Sequence, residues 1–196
     1  EPLRNMVFLP VPGNHEGLAL HYFAQFALPG DELNYHVRYG NAVIVLLSDD
    51  PQHDGVARAA GYLRAAMLDN PDARWRVVVN HRALYSSSSH GSQADLQAAW
   101  GPIIDEFHID LVLNGHDHNY ERSVLIANGQ RVFEKGTTYM VASGVGAPLY
   151  PNGSSWFTAT SEEVESEVSL EFAGSTLNVF ARRLDGTVID SFALRH

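Results

Sequence analysis

Three short apolar runs, separated by segments of helical period, constrain this chain more than any other feature. AVIVLLS (42–48), WRVVV (75–79) and DLVL (110–113) are almost free of polar interruptions, the pattern of buried strands. Between the first two, GVARAAGYLRAAML (55–68) sets Val56, Ala60, Leu63 and Met67 at helical spacing. Between the second pair, QADLQAAWGPIIDEF (93–107) puts Leu96, Trp100, Ile103 and Phe107 on one face, and Gly101-Pro102 predicts a kink or restart there. Strand, helix, strand, helix, strand implies βαβ units with parallel pairing. The expected class is therefore α/β.

The flanks add detail. NMVFLPV (5–11) reads as a short strand entering the turn PGNHEG, and YHVRYGN before residue 42 makes a hairpin that turns at Gly40-Asn41. From about residue 130 the texture changes: RVFEKGTTYMVASG, SEVSLEFAG, STLNVFARRLDG and TVIDSFALR read as short strands with glycine-containing turns, a β meander closing the fold. YSSSSHGS (85–92) reads as a flexible polar loop. Neither repeat nor linker divides residues 1–196, so a single domain is expected.

Composition removes some classes of function. A net charge of −10 argues against wrapping nucleic acid or hugging an anionic membrane, since both require Lys and Arg to neutralise phosphates. No apolar run approaches the roughly 20 residues that cross a bilayer. The acidity is still compatible with a small phosphate substrate if metal ions supply local positive charge. The chain has no cysteine and ten histidines, so a metal would have to be held by His, Asp, Glu, Asn or Tyr.

The histidines fall where such a site would form. Gly13-Asn14-His15-Glu16 follows the first run, Asn80-His81 follows WRVVV, and Gly115-His116-Asp117-His118 follows DLVL. In open α/β sheets, side chains from separate loops converge at the carboxyl ends of strands. Taken singly, each junction also reads blandly: a polar turn or an Asn cap, a histidine satisfied at a strand end, a polar loop. In an extended HDH segment the two imidazoles point one way and Asp117 the other. His21, His36, His53, His108 and His196 lack such a context.

Taken together, PVPGNHE, YHVRYGNAVIVLLSD, VVVNHRALYSSSSHG, DLVLNGHDHNYER and SGVGAPLY resemble, in content and order, the calcineurin-like metallophosphoesterases, and within them the purple acid phosphatase branch. The resemblance runs from residue 6 to about 150. It implies a β-sandwich flanked by helices, with two divalent or trivalent metal ions (Fe, Zn or Mn) at the strand ends. Asn14, His81 and His116 would ligate one ion and His118 the other. His15 would sit beside the substrate phosphate, and His90 would contact it and protonate the leaving group. The implied activity is hydrolysis of a small phosphate ester, a phosphomonoester before a diester, by a hydroxide held between the ions attacking phosphorus in line. The branch is commonly periplasmic or secreted. Asp117 and Glu121 are expected to support the site rather than to ligate.

The same resemblance calls for an earlier aspartate motif and a Gly-Asp whose carboxylate bridges the ions, and residues 1–13 contain no Asp, His or Tyr. The four ligands found are all neutral, whereas two close dications need anionic ligands to offset their repulsion. The expectation is a C-terminal portion of a longer enzyme whose N-terminal βαβ part is missing. Such a chain should associate with that segment or with itself. The alternative is a remnant that binds one metal or none and serves as an interaction module.

Overall fold

The structure, a computed structural model, describes residues 6–16, 19–51, 55–144 and 146–196. In chain order the elements are α1 (Leu20–Gln25), β1 (Tyr35–Tyr39), β2 (Ala42–Leu47), α2 (Gly55–Asp69), β3 (Trp75–Asn80), α3 (Ala94–Glu106), β4 (Leu111–Asn114) and β5 (Tyr120–Ser123). They continue with β6 (Ile126–Ala127), β7 (Gln130–Arg131), β8 (Thr138–Ala142), β9 (Thr158–Glu162), β10 (Ser166–Ala173), β11 (Thr176–Arg183) and β12 (Val188–Arg195).

A seven-stranded mixed sheet forms the frame, in the order β1-β2-β3-β4-β8-β5-β9. Its centre is parallel, as the apolar runs predict: β2, β3, β4 and β8 pair in one direction, while β1, β5 and β9 run against their neighbours. The expected hairpin is present, with Gly40 at φ +58° in its turn.

Alternation along each central strand divides the core in two. Val43, Val45, Leu47, Val78 and Val112 face α2 and α3, packing with Leu63, Met67, Leu96, Trp100 and Ile104. Ala42, Trp75, Val77, Leu111 and Met140 face the other way, onto Leu177, Val179 and Ala181 of β11. That opposing layer is a three-stranded antiparallel meander, β10-β11-β12. Helices thus cover one face of the large sheet and a small sheet covers the other, which is why its central strands are apolar on both sides.

Three local expectations change. Met6–Val11 joins none of the three sheets, the third being the β6-β7 pair; Pro10 and Pro12 have no N–H to offer a ladder, and the segment is tied down by Tyr35 Oη donating to the Pro10 carbonyl (2.6 Å). Asn5, which opened that expected strand, lies outside the described residues. Gly101-Pro102 does not restart the helix: α3 continues through Pro102, because Leu96, Trp100, Ile103 and Ile104 are buried along one face and outweigh one missing backbone bond. Finally, the β-rich tail is not one meander. Thr138–Ala142 leaves it to pair in parallel with β4 in the main sheet.

Candidate metal and phosphate site

Register delivers the site. Asn80 at the end of β3 pairs with Asn114 at the end of β4, so His81 and Gly115-His116 leave the sheet side by side. The backbone N–H of Gly115 donates to the His81 carbonyl (2.9 Å), extending the match one residue past the strands. His116 then adopts φ +68°, a left-handed conformation uncommon outside glycine, and its ring meets that of His81. The two rings stand 4.9 Å apart, edge to face.

Three donor atoms converge there. His81 Nε2 is 2.8 Å from Asn14 Oδ1 and 3.1 Å from His116 Nδ1. The turn carrying Asn14 is closed by the Gly13 N–H donating to Glu16 Oε2 (2.8 Å). It lies so close to His81 that a Cβ at Gly13 would stand 2.8 Å from the imidazole Cε1. One proton cannot lie on both lines from His81 Nε2. The spacing also suits ligands at right angles on a single cation, where bonds to N and O of about 2.1 Å put adjacent donors about 3 Å apart. Burial above all, then the neighbouring His90 and His81, pushes the His116 pKa down to about 4. His81 is lowered as well, again chiefly by burial. Both rings are therefore neutral near pH 7 with lone pairs available. Among the described residues no group of three His, Asp or Glu side chains forms a cation cage: the third donor is an amide, and no carboxylate joins the cluster.

His118 is set apart from that trio. Its ring stacks on Tyr150 (4.3 Å between centroids, 10° between planes), and Nδ1 donates to the Pro148 carbonyl (2.7 Å). That bond fixes the tautomer and leaves Nε2 with its lone pair, the usual preparation of a ligating histidine. His15 is exposed on the turn beside Asn14.

His90 completes the cluster. Its ring lies 4.0 Å from that of His116 and 5.1 Å from that of Tyr150. Its Nδ1 and its backbone N–H both donate to Asp117 Oδ1 (2.9 Å each). Because a carboxylate only accepts, the proton sits on Nδ1 and Nε2 is free.

The serine-rich segment is less free than its composition suggests. Ser86 Oγ donates to Asp117 Oδ2 (2.6 Å). The N–H and Oγ of Ser87 both donate to Glu121 (2.8 Å each), which also accepts from Thr158 Oγ1 (2.6 Å). Asp117 and Glu121 are thus buried supports that hold the loop carrying His90.

Asp49 and Arg82 escape sequence reading. Asp49 accepts from Asn80 Nδ2 (2.8 Å) and from the Arg82 N–H, while the Arg82 guanidinium bonds the Asp49 carbonyl, Gln93 and Asp95. This buried network braces the strand end from which His81 emerges. The only hint in the sequence is an Asp and an Arg beside apolar runs.

A family model described as calcineurin-like phosphoesterase matches residues 2–120. The chain belongs to the calcineurin-like phosphoesterase family. Purple acid phosphatase 4 of Arabidopsis thaliana is 36% identical over 70 residues, 33% of this chain and 21% of that protein. Purple acid phosphatase 17 of the same plant is 43% identical over 51 residues, 26% and 15% of the two chains. Among solved structures, a purple acid phosphatase from yellow lupin (Lupinus luteus) seeds superposes with a TM-score of 0.74 at 24% identity, over 87% of this chain and 34% of that one. GAP50, the anchor in the inner membrane complex of Plasmodium, superposes with a TM-score of 0.62 at 16% identity, over 83% and 53%. The fold is that of the family, and the chain spans about a fifth of the length of the first of these phosphatases.

Proposed function

We propose that this chain carries one half of the catalytic site of a metal-dependent phosphomonoesterase of the purple acid phosphatase kind. The observation that supports it most is the convergence of Asn14 Oδ1, His81 Nε2 and His116 Nδ1 at 2.8 and 3.1 Å, from a turn and two strand ends. These three would hold one cation, and His118, through its free Nε2, a second. Bound cations supply activation of water and neutralisation of charge on the phosphoryl oxygens.

The remaining steps fall to the chain's own side chains. The His90 ring lies 4.0 Å from that of His116, with the proton on Nδ1 anchored by Asp117. A second proton, taken up at Nε2, would pass to the departing alkoxide oxygen. His15, exposed beside Asn14, would bond a phosphoryl oxygen. Tyr150 lies along the rings of both His90 and His118 and limits where an ester group can sit.

All four ligands are neutral, so the anionic partners that a paired site needs would come from another part of the natural polypeptide, with this chain as the C-terminal portion of the catalytic domain. The absence of a carboxylate from the donor cluster among the described residues also favours a second reading, a remnant that binds one cation without turnover. Hydrolysis of a chromogenic phosphate ester by the full natural polypeptide, loaded in turn with iron, zinc and manganese, separates the two. Turnover that falls about 10²-fold or more in His90→Ala supports the enzyme. No turnover with any of the metals overturns it.

A further inference from the structure

A cavity lies away from the imidazole cluster, and four aromatic rings stand in its otherwise mixed wall. Tyr85, Tyr139, Trp156 and Phe157 line a cleft of about 670 Å³ between α3 and the turn joining β6 to β7, within the size range of small-molecule sites. The rings brace one another edge to face: Tyr85 lies 4.7 Å from Tyr139 and 5.4 Å from Phe157, and Trp156 lies 5.5 Å from Phe157. Trp156 is half exposed at the rim, and Tyr139 and Phe157 are buried.

The charged group in this wall is a carboxylate, Asp105, and no Lys, Arg or His lines the cleft among the described residues. Asp105 Oδ2 accepts from the Asn128 N–H (2.9 Å), and no cation is paired with it among the described residues. Two of the other polar side chains are already used. Gln97 Nε2 donates to the Leu84 carbonyl (2.7 Å), and Ser92 Oγ accepts from the Ser86 N–H (3.1 Å). Asp105 also stands in the last turn of α3, which has no basic residue of its own; the cation at that helix end is Arg76, whose Nη1 donates to the Phe107 carbonyl (3.2 Å).

Aromatic faces carry negative quadrupole potential and attract cations, and a carboxylate in the same wall excludes anions. We infer that this cleft binds a small organic cation of the quaternary ammonium class, its alkyl groups against the four rings and its charge shared between those rings and Asp105. The inference rests on the cleft alone and is independent of the phosphoesterase reading. Tyr85 and Ser92 bracket the segment that carries His90, so an occupant would touch both ends of that loop.

Fluorescence and calorimetry test it. Of the three tryptophans, Trp75 and Trp100 are fully buried and Trp156 is 51% exposed, so a change in emission reports the cleft. Choline chloride titrated against sodium chloride at matched ionic strength should give a saturable change. The neutral isostere 3,3-dimethylbutan-1-ol should bind about tenfold more weakly, as should choline to Asp105→Asn. Calorimetry on Trp156→Ala, its fold checked by circular dichroism, should show a similar loss. Equal binding of the neutral isostere, indifference to both substitutions, or no saturable binding would overturn the proposal. So would sedimentation with phosphatidylcholine vesicles in the absence of any response to free choline, which would assign the contact to a lipid surface.

Discussion

His90 Nδ1 lies 2.9 Å from Oδ1 of Asp117, a carboxylate with no exposed surface. The HDH segment is not extended, because His116 takes φ +68°, and the Asp117 side chain is fully buried. It points into the protein, where it binds the one histidine of the loop 86–92. Asp117→Ala would leave the Ser86 hydroxyl and both His90 donors without their acceptor. The expected loss is about 3 kcal/mol of stability by urea unfolding, together with loss of a slowly exchanging His90 Nδ1 proton by NMR. A loss under about 1 kcal/mol would mean that the buried carboxylate does not hold the loop.

Arg82 makes a different kind of contact. It lies between the buried Asp49 and the first turn of α3, bonded to both. Arg82→Ala would take away the cation 3.6 Å from the Asp49 carboxylate and the donors to its carbonyl, leaving the carboxylate only the bonds from Asn80 Nδ2 and the residue 82 N–H, and should cost about 3 kcal/mol. Asp49→Asn in the same background should recover part of that loss, since it removes the uncompensated charge. Denaturation of the single and double variants gives the comparison.

A third prediction concerns pH. Burial raises the pKa of Asp190, but the hydrogen bonds from Arg122 Nε (2.5 Å) and Tyr120 Oη (2.8 Å), with the Arg122 charge, outweigh it and leave the group below its ordinary value. A depressed carboxylate binds fewer protons folded than unfolded, so its contribution is complete above the unfolded pKa of about 4 and is lost as pH falls through the folded value. The difference in urea midpoint between the natural chain and Asp190→Asn should be constant from pH 7 to 5 and should shrink below pH 4. A difference that persists at pH 2.5 would show that the charge is not what stabilises this corner.

Much of this was legible in the sequence because strand periodicity and strand-end chemistry are local. The apolar runs at 42–48, 75–79 and 110–113, alternating with helical segments, announce a parallel centre, and the polar junctions after them mark the loops where side chains gather. What stayed hidden depends on distant partners. Nothing near Thr138 says that its strand leaves the β-rich tail to pair with β4. The four serines at 86–89 look mobile until Asp117 and Glu121, some thirty residues on, are brought against Ser86 and Ser87. Asp49 and Arg82 show no spacing signal, because their contact is created by the pairing of β2 with β3.

The most direct test of the central claim is cation binding measured by titration calorimetry on the natural chain and on Asn14→Ala, His81→Ala and His116→Ala. If the three donors form one site, zinc or manganese binds, and its affinity falls about tenfold or more in each histidine variant. Binding that is unchanged in His81→Ala and His116→Ala, or absent from the natural chain, would contradict it.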